Sequence, residues 1–237
     1  LWYDSPPRGL VRRPENVVKW LTKAAELGSH QAQYNLGRFY IEEYGWDSEA
    51  EDDEEGVHEK RTDAARKAAF WFRQAAEAGD KESMFEFGRC FEKGIGVDKD
   101  VKEAVRWYRK ATEQGEAESM NRLGLYYEHG RGLKRDVNKA VVWYREAAER
   151  SNRNGVYNLG RCYRDGVGVE ADEGEAYFWM HQAAVKGCRK AQDELGALAD
   201  KLFQRCGQTR SGDDEEKKAV TTQPLKQLPK RAVEVWV

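Results

Sequence analysis

Residues 87–115 read FGRCFEKGIGVDKDVKEAVRWYRKATEQG, and one period later residues 123–151 read LGLYYEHGRGLKRDVNKAVVWYREAAERS. A third copy, residues 159–187, reads LGRCYRDGVGVEADEGEAYFWMHQAAVKG. Trp71, Trp107, Trp143 and Trp179 fall 36 residues apart, and Gly88, Gly124, Gly160 and Gly196 keep the same step. A fixed period of this length marks a tandem array of small structural units. Two copies are incomplete: Leu36-Gly37 reaches Trp71 only across about fifteen extra residues, and Leu195-Gly196 has no second half. An orphan second half, Trp20 with Ala24-Ala25 and Gly28, opens the array.

Each copy reads as two helices. Val101, Ala104, Val105, Tyr108 and Ala111 recur with the spacing of one face of a 3.6-residue helix. Asp100 with Glu103, and Asp172 with Glu175, are expected to form capping boxes that start the second helices. The first helices stop at Gly94, Gly130 and Gly166, where a left-handed residue suits glycine. Gly88, Gly124 and Gly160 inside the first helices, facing alanines in the second, allow close backbone approach, and the tryptophans are expected to fill the seams between helix pairs. One pair cannot bury a core alone, so stacking of neighbours supplies the cooperativity.

The recurring pattern L-G-x-x-Y, G-x-G-V, D, A, W-Y or W-F and A-A-x-x-G resembles the Sel-one-like repeat, a relative of the tetratricopeptide repeat, from about Trp20 to Leu202. The resemblance implies an all-α fold, an α/α superhelical solenoid of helix-turn-helix repeats, and a scaffold or adaptor role in complex assembly. Some members of that family are secreted and rich in disulfides, and here the sequence departs from them. Cys90 and Cys162 hold the same repeat position two copies apart, too far to bridge, and Phe39, Tyr126 and Leu198 stand at the equivalent places. Both cysteines are expected to be buried fillers. With no CxxC pairs among Cys90, Cys162, Cys188 and Cys206, reduced thiols in an intracellular compartment, cytosol or organelle interior, are favoured.

Composition excludes several classes of function. Charged residues make up 35% of the chain while the net charge is −2, a mixed surface with no broad field for nucleic acid or anionic lipid. No apolar run is long enough to cross a membrane, and the chain reads as soluble. It opens on Leu1 rather than Met, which fits a processed protein, an excised domain or part of a longer polypeptide, with any targeting segment removed. The glycine runs at Gly94-Gly96, Gly130-Gly132 and Gly166-Gly168 lack the strand and the lysine of a phosphate-binding loop, so they are repeat turns. His30, His58, His129 and His181 are scattered without a metal or nucleophile signature. Catalytic residues, a metal site and a cofactor are therefore not expected.

By family analogy the working surface is the concave face lined by the first helices. Asn35, Glu86, Arg122 and Asn158 stand two residues before the repeat glycine, and Arg38, Arg89 and Arg161 one after it. Asparagine and arginine in rows suit the backbone and carboxylates of an extended peptide. The competing reading is that Arg38, Arg89 and Arg161 brace neighbouring helices through acidic partners.

The expected organisation is an N-terminal arm at 1–13, a repeat solenoid at 14–206 and a linker with an extended tail at 207–237. An insertion at about 45–60, with Asp47, Glu49, Asp52 and Glu55 among its acids, reads as a solvated loop or an acidic tether. Trp2-Tyr3 and Pro6-Pro7 could form a docking arm, and Val233, Val235, Trp236 and Val237 a β-prone tail for docking on a partner or in the groove. The resulting expectation is a non-catalytic protein-interaction scaffold, a structural or assembly subunit whose partners are other proteins, with no direct membrane insertion and its oligomeric state open. The alternative is a regulatory or docking segment of a longer, catalytic polypeptide.

Overall fold

A computed structural model describes residues 14–43 and 55–208. Among these residues there are ten α-helices and no strand. The first five are α1 (Pro14–Glu26), α2 (His30–Glu43), α3 (Glu55–Glu77), α4 (Lys81–Lys93) and α5 (Val101–Glu113). The rest are α6 (Ala117–His129), α7 (Val137–Glu149), α8 (Arg153–Asp165), α9 (Glu173–Val185) and α10 (Arg189–Gln208). Among the described residues, α1–α5 form one compact unit and α6–α10 a second. The chain is an all-α helical-repeat protein. In the first unit α2 pairs with α3 and α4 with α5, while α1 packs on α2 and α3 on α4. In the second, α6 pairs with α7 and α8 with α9; α7 packs on α8, α9 on α10, and α6 touches α8.

The turn between α4 and α5 shows how the repeat sequence works. Gly94 is left-handed (φ 80°), and the amides of Gly94 and Ile95 both donate to the Cys90 carbonyl, which closes the helix end. Gly96, also at positive φ, rests on the backbone of α3: a Cβ there would lie 2.1 Å from the carbonyl oxygen of Ala65. The amide of Asp100 then donates to the Phe91 carbonyl at 3.0 Å, and its carboxylate accepts from the amides of Lys102 and Glu103.

That last detail corrects the capping-box expectation. The aspartate half forms at both Asp100 and Asp172, but the glutamate half does not. Because the cap amides already donate to Phe91 and Tyr163, the glutamates are released to other partners: Glu103 takes Arg106 at 2.7 Å, and Glu175 accepts from the Trp179 indole at 3.0 Å.

The core refines the expectation for the tryptophans, since Trp71, Trp107 and Trp179 do pack against the clusters of neighbouring helices but from their rims. Trp71, Trp107, Trp143 and Trp179 are only half-buried, and Trp20 is exposed. The buried layer is built by the residue after each tryptophan, Phe72, Tyr108, Tyr144 and Met180, each almost wholly sequestered. Their side chains lie over the repeat glycines. A Cβ on Gly37, Gly88 or Gly124 would come within 2.4–2.7 Å of the facing ring, and one on Gly160 within 3.0 Å of Met180. The glycine thus makes room for a large aromatic or methionine side chain to leave water.

Boundaries also shift. Residues 55–60 of the expected acidic insertion are the first turns of α3, and α10 runs through Gln208, past the expected start of the linker at 207. The rest of that insertion up to residue 54, the arm at 1–13 and the tail with Val233, Val235, Trp236 and Val237 lie outside the described residues. Cys90, Cys162 and Cys188 are free thiols, all buried. No described helix is long and apolar enough to cross a membrane.

Candidate functional site

In the first unit, the proposed groove residues of α2 and α4 form a partly self-satisfied cluster. Asn35 accepts from Gln31 at 3.3 Å, Arg38 pairs with Glu42 one turn along the same helix, and Arg89 grips Glu86 at 2.8 and 3.2 Å. Tyr34 lies close enough to both helices to feel them: burial and the Glu86 charge push its phenol up, while Arg38 pulls it down. These pairs are intrahelical, three or four residues apart, and the exposed one adds little stability.

The second unit separates Arg161 from the other nominated residues. Arg161 on α8 reaches Glu128 on α6 at 2.5 Å, and Glu128 also accepts from the Tyr144 hydroxyl at 2.6 Å. Glu128 is 7% exposed. Burial pushes its carboxyl up, but the hydrogen bonds from Arg161 and Tyr144, with the arginine charge, hold it below the usual carboxylate value. Arg161 is thus a brace between α8 and α6. A similar clamp joins α8 to α10, where Glu194 accepts from Arg164 at 2.5 Å and from the Tyr157 hydroxyl at 2.9 Å.

Arg122 and Asn158, by contrast, line a groove of about 490 Å³ that runs over α6, α8 and the start of α10. Beneath it the Asn158 amide donates to the Asn121 side-chain oxygen at 2.8 Å, a buried pair linking two successive repeats. Glu118 at one edge is held by the amides of Asn121, Asn152 and Asn154 at 2.8–3.4 Å. Leu125, Tyr157 and Cys188 supply apolar surface, and Arg153, Arg189 and Lys190 supply charge. Sequence reasoning missed Asn121 and Tyr157, which occupy the place three before the repeat glycine, and Arg153 and Arg189, which occupy the place seven before it. The same 36-residue register that located Arg122 and Asn158 indexes these places too.

Among the described residues no group of His, Cys, Asp and Glu could hold a metal ion. The lining combines amides, apolar side chains and guanidinium groups, which are donors and acceptors of the kind that can meet a polypeptide main chain.

The sequence pattern described as the Sel1 repeat matches residues 18–29, 30–58, 60–80, 81–116, 117–152 and 154–188, more than half of the chain. A curated relative from Rattus norvegicus, "DAP3-binding cell death enhancer 1", is 33% identical over 99 residues, covering 41% of this chain and 16% of the relative. The crystal structure of c5321, a protective antigen of uropathogenic Escherichia coli with an SLR fold, superposes with a TM-score of 0.64 at 33% identity, covering 78% of this chain and 37% of that one. A Sel1 repeat protein from Oxalobacter formigenes gives a TM-score of 0.67 at 28% identity over 89% of this chain and 75% of that one. Sel1 repeats generally mediate protein–protein interaction and are typically non-catalytic. Repeat register, helix pairing and sequence pattern agree, and the chain belongs to the Sel1 repeat family.

Proposed function

We propose that the chain is a non-catalytic scaffold or adaptor that holds an extended segment of a partner protein along α6, α8 and α10, and so serves the assembly of a multiprotein complex. The observation that carries this reading is the groove itself, lined by amides, guanidinium groups and apolar side chains of successive repeats, with Asn121 and Asn158 paired in its wall. Both asparagines line the groove, and their buried hydrogen bond fixes them to each other across two successive repeats. A binding role toward another protein is also what the name of the DAP3-binding relative records for that protein.

The test is affinity purification of the chain at mild salt, with mass spectrometry of co-purifying proteins, run beside Asn121→Ala/Asn158→Ala. The variant gives up a buried hydrogen bond and is expected to melt somewhat lower, so partners are compared at a temperature where both proteins are fully folded. Loss of stoichiometric partners from the folded variant is expected. Retention of the same partners by that variant would place the contact elsewhere.

A second reading rests on coverage. The chain spans 16% of the curated relative and 37% of the antigen, as expected of a docking segment within a longer polypeptide. The intact mass of the native protein separates this reading from the first.

A further inference from the structure

We infer that the occupant of the α6–α8–α10 groove is an acidic polypeptide segment carrying an apolar side chain; this rests on the groove reading above. Four cations, Arg122, Arg153, Arg189 and Lys190, line the groove against one carboxylate, Glu118. Glu118 is already occupied by three asparagine amides. Arg153, Arg189 and Lys190 have no acidic partner among the described residues. Other exposed arginines do pair within their own helix, as in Arg73 with Glu77 and Arg150 with Glu146. The positive field is therefore a local feature of a chain whose net charge is −2.

The placement of these cations opposes helix electrostatics. Helix N-termini favour acidic side chains, and α4 and α6 follow the rule with Glu82 and Glu118 in their first turns. In α8 and α10 the first turn has no acid, and the corresponding stretches read Arg153-Asn154 and Arg189-Lys190. Side chains and helix ends thus add their positive potentials on one side of the groove, a local conflict that an anionic ligand relieves. Carboxylates spaced along an extended peptide meet this array, and arginine offers them a two-pronged donor. Leu125 and the ring of Tyr157 form the apolar contact between the charges. A single-stranded nucleic acid fits less well. Its affinity rests on successive stacked bases, and Tyr157 is the one aromatic ring in the lining, its hydroxyl committed to Glu194.

The experiment uses the full chain and fluorescein-labelled dodecapeptides in which glutamate alternates with leucine and glycine, with a glutamine version as control. Fluorescence anisotropy is expected to show the glutamate peptide binding about tenfold or more tighter, with the preference shrinking as salt rises. Arg153→Glu/Arg189→Glu, at exposed positions, is expected to abolish that preference without changing the melting temperature. Equal affinity for the two peptides, or a preference that survives the double reversal, overturns the proposal. So does an oligouridylate dodecamer that binds more tightly than the glutamate peptide and loses affinity in the same variant. If the charge preference is absent while Asn121→Ala/Asn158→Ala still sheds the co-purifying partners, the acidic occupant fails and the groove stands. If neither pair of variants affects binding, both fail.

Discussion

The hydroxyl of Tyr144 donates a 2.6 Å hydrogen bond to Glu128, sixteen residues earlier, and Tyr108 makes the same bond to Glu92 at 2.5 Å. Both tyrosine rings cover a repeat glycine, so the ring that fills the space between paired helices also carries a donor to the end of the first helix. Removing the hydroxyl leaves a buried carboxylate short of one donor. Tyr144→Phe is expected to destabilise the protein by about 1–3 kcal/mol in urea or guanidinium titrations. Tyr108→Phe is expected to cost less, since Glu92 is only half-buried.

Acid should act through the same carboxylate. Glu128 sits below its ordinary value in the folded chain: burial works against ionisation, but the bonds from Arg161 and Tyr144 outweigh it. A carboxylate with a depressed folded value stabilises above its unfolded value, about 4.3, and that stabilisation is lost as pH falls through the folded value. Arg161→Gln removes the largest source of the depression. The stability gap between wild type and this variant, measured by denaturant titration, is therefore expected to be largest near pH 7 and to narrow below about pH 4. A gap that stays constant with pH would mean that Arg161 acts through packing alone.

Two glycines at the same place in the repeat should respond oppositely to a methyl group. A Cβ on Gly124 would meet Tyr144 at 2.4 Å, whereas Gly196 on α10 has nothing within 4 Å. Gly124→Ala is expected to cost about 1–3 kcal/mol through overpacking. Gly196→Ala, in an open helical position, is expected to gain about 0.5–1 kcal/mol from reduced backbone freedom in the unfolded chain. Thermal melts of the two variants give the signs directly.

The architecture was readable because the repeat states it three times: glycine, turn, aspartate cap and the Trp-aromatic pair recur in register, and each has a local physical cause. What periodicity could not rank was Trp143 against Tyr144, since adjacent residues on a helix are 100° apart and only packing decides which points inward. The capping boxes failed for a related reason, because the cap amides of Asp100 and Asp172 found carbonyl partners across the turn that no local motif reveals. Among the nominated residues, register put Arg122 and Asn158 at one repeat position, and both line the α6–α8–α10 groove, but it could not distinguish Arg161, whose fate depends on Glu128, 33 residues away. Arg153 and Arg189 went unremarked since the first turn of a helix was read only for its cap.

The thiols offer a check on burial. Cys90 and Cys162 are 1% and 0% exposed, and burial pushes both thiols up to about 12. The thiolate is the reactive form, so both are expected to resist iodoacetamide at pH 8 in the native chain and to react fully in denaturant, as read by peptide mass mapping. Rapid native labelling of Cys162 would show that the α8 core opens locally.

Arg161 and Arg153 share a helix but should separate stability from binding. Arg161→Glu sets a second carboxylate against Glu128, whose side chain is almost wholly buried, with the Tyr144 hydroxyl as its remaining donor. Breaking a largely buried pair and adding repulsion is expected to cost about 2–4 kcal/mol, less than for a fully enclosed pair because Arg161 keeps 22% of its side chain exposed. Arg153→Glu instead places an acid in the first turn of α8, at an exposed position where helix electrostatics welcome it. Its stability is expected to match wild type within about 0.5 kcal/mol, or to rise slightly. Its affinity for partner segments should nevertheless fall. Denaturation and binding measured on both variants would thus show opposite patterns: Arg161→Glu losing stability first, Arg153→Glu losing binding alone. A parallel loss of stability in both would mean that the α8 arginines serve the fold and not the groove.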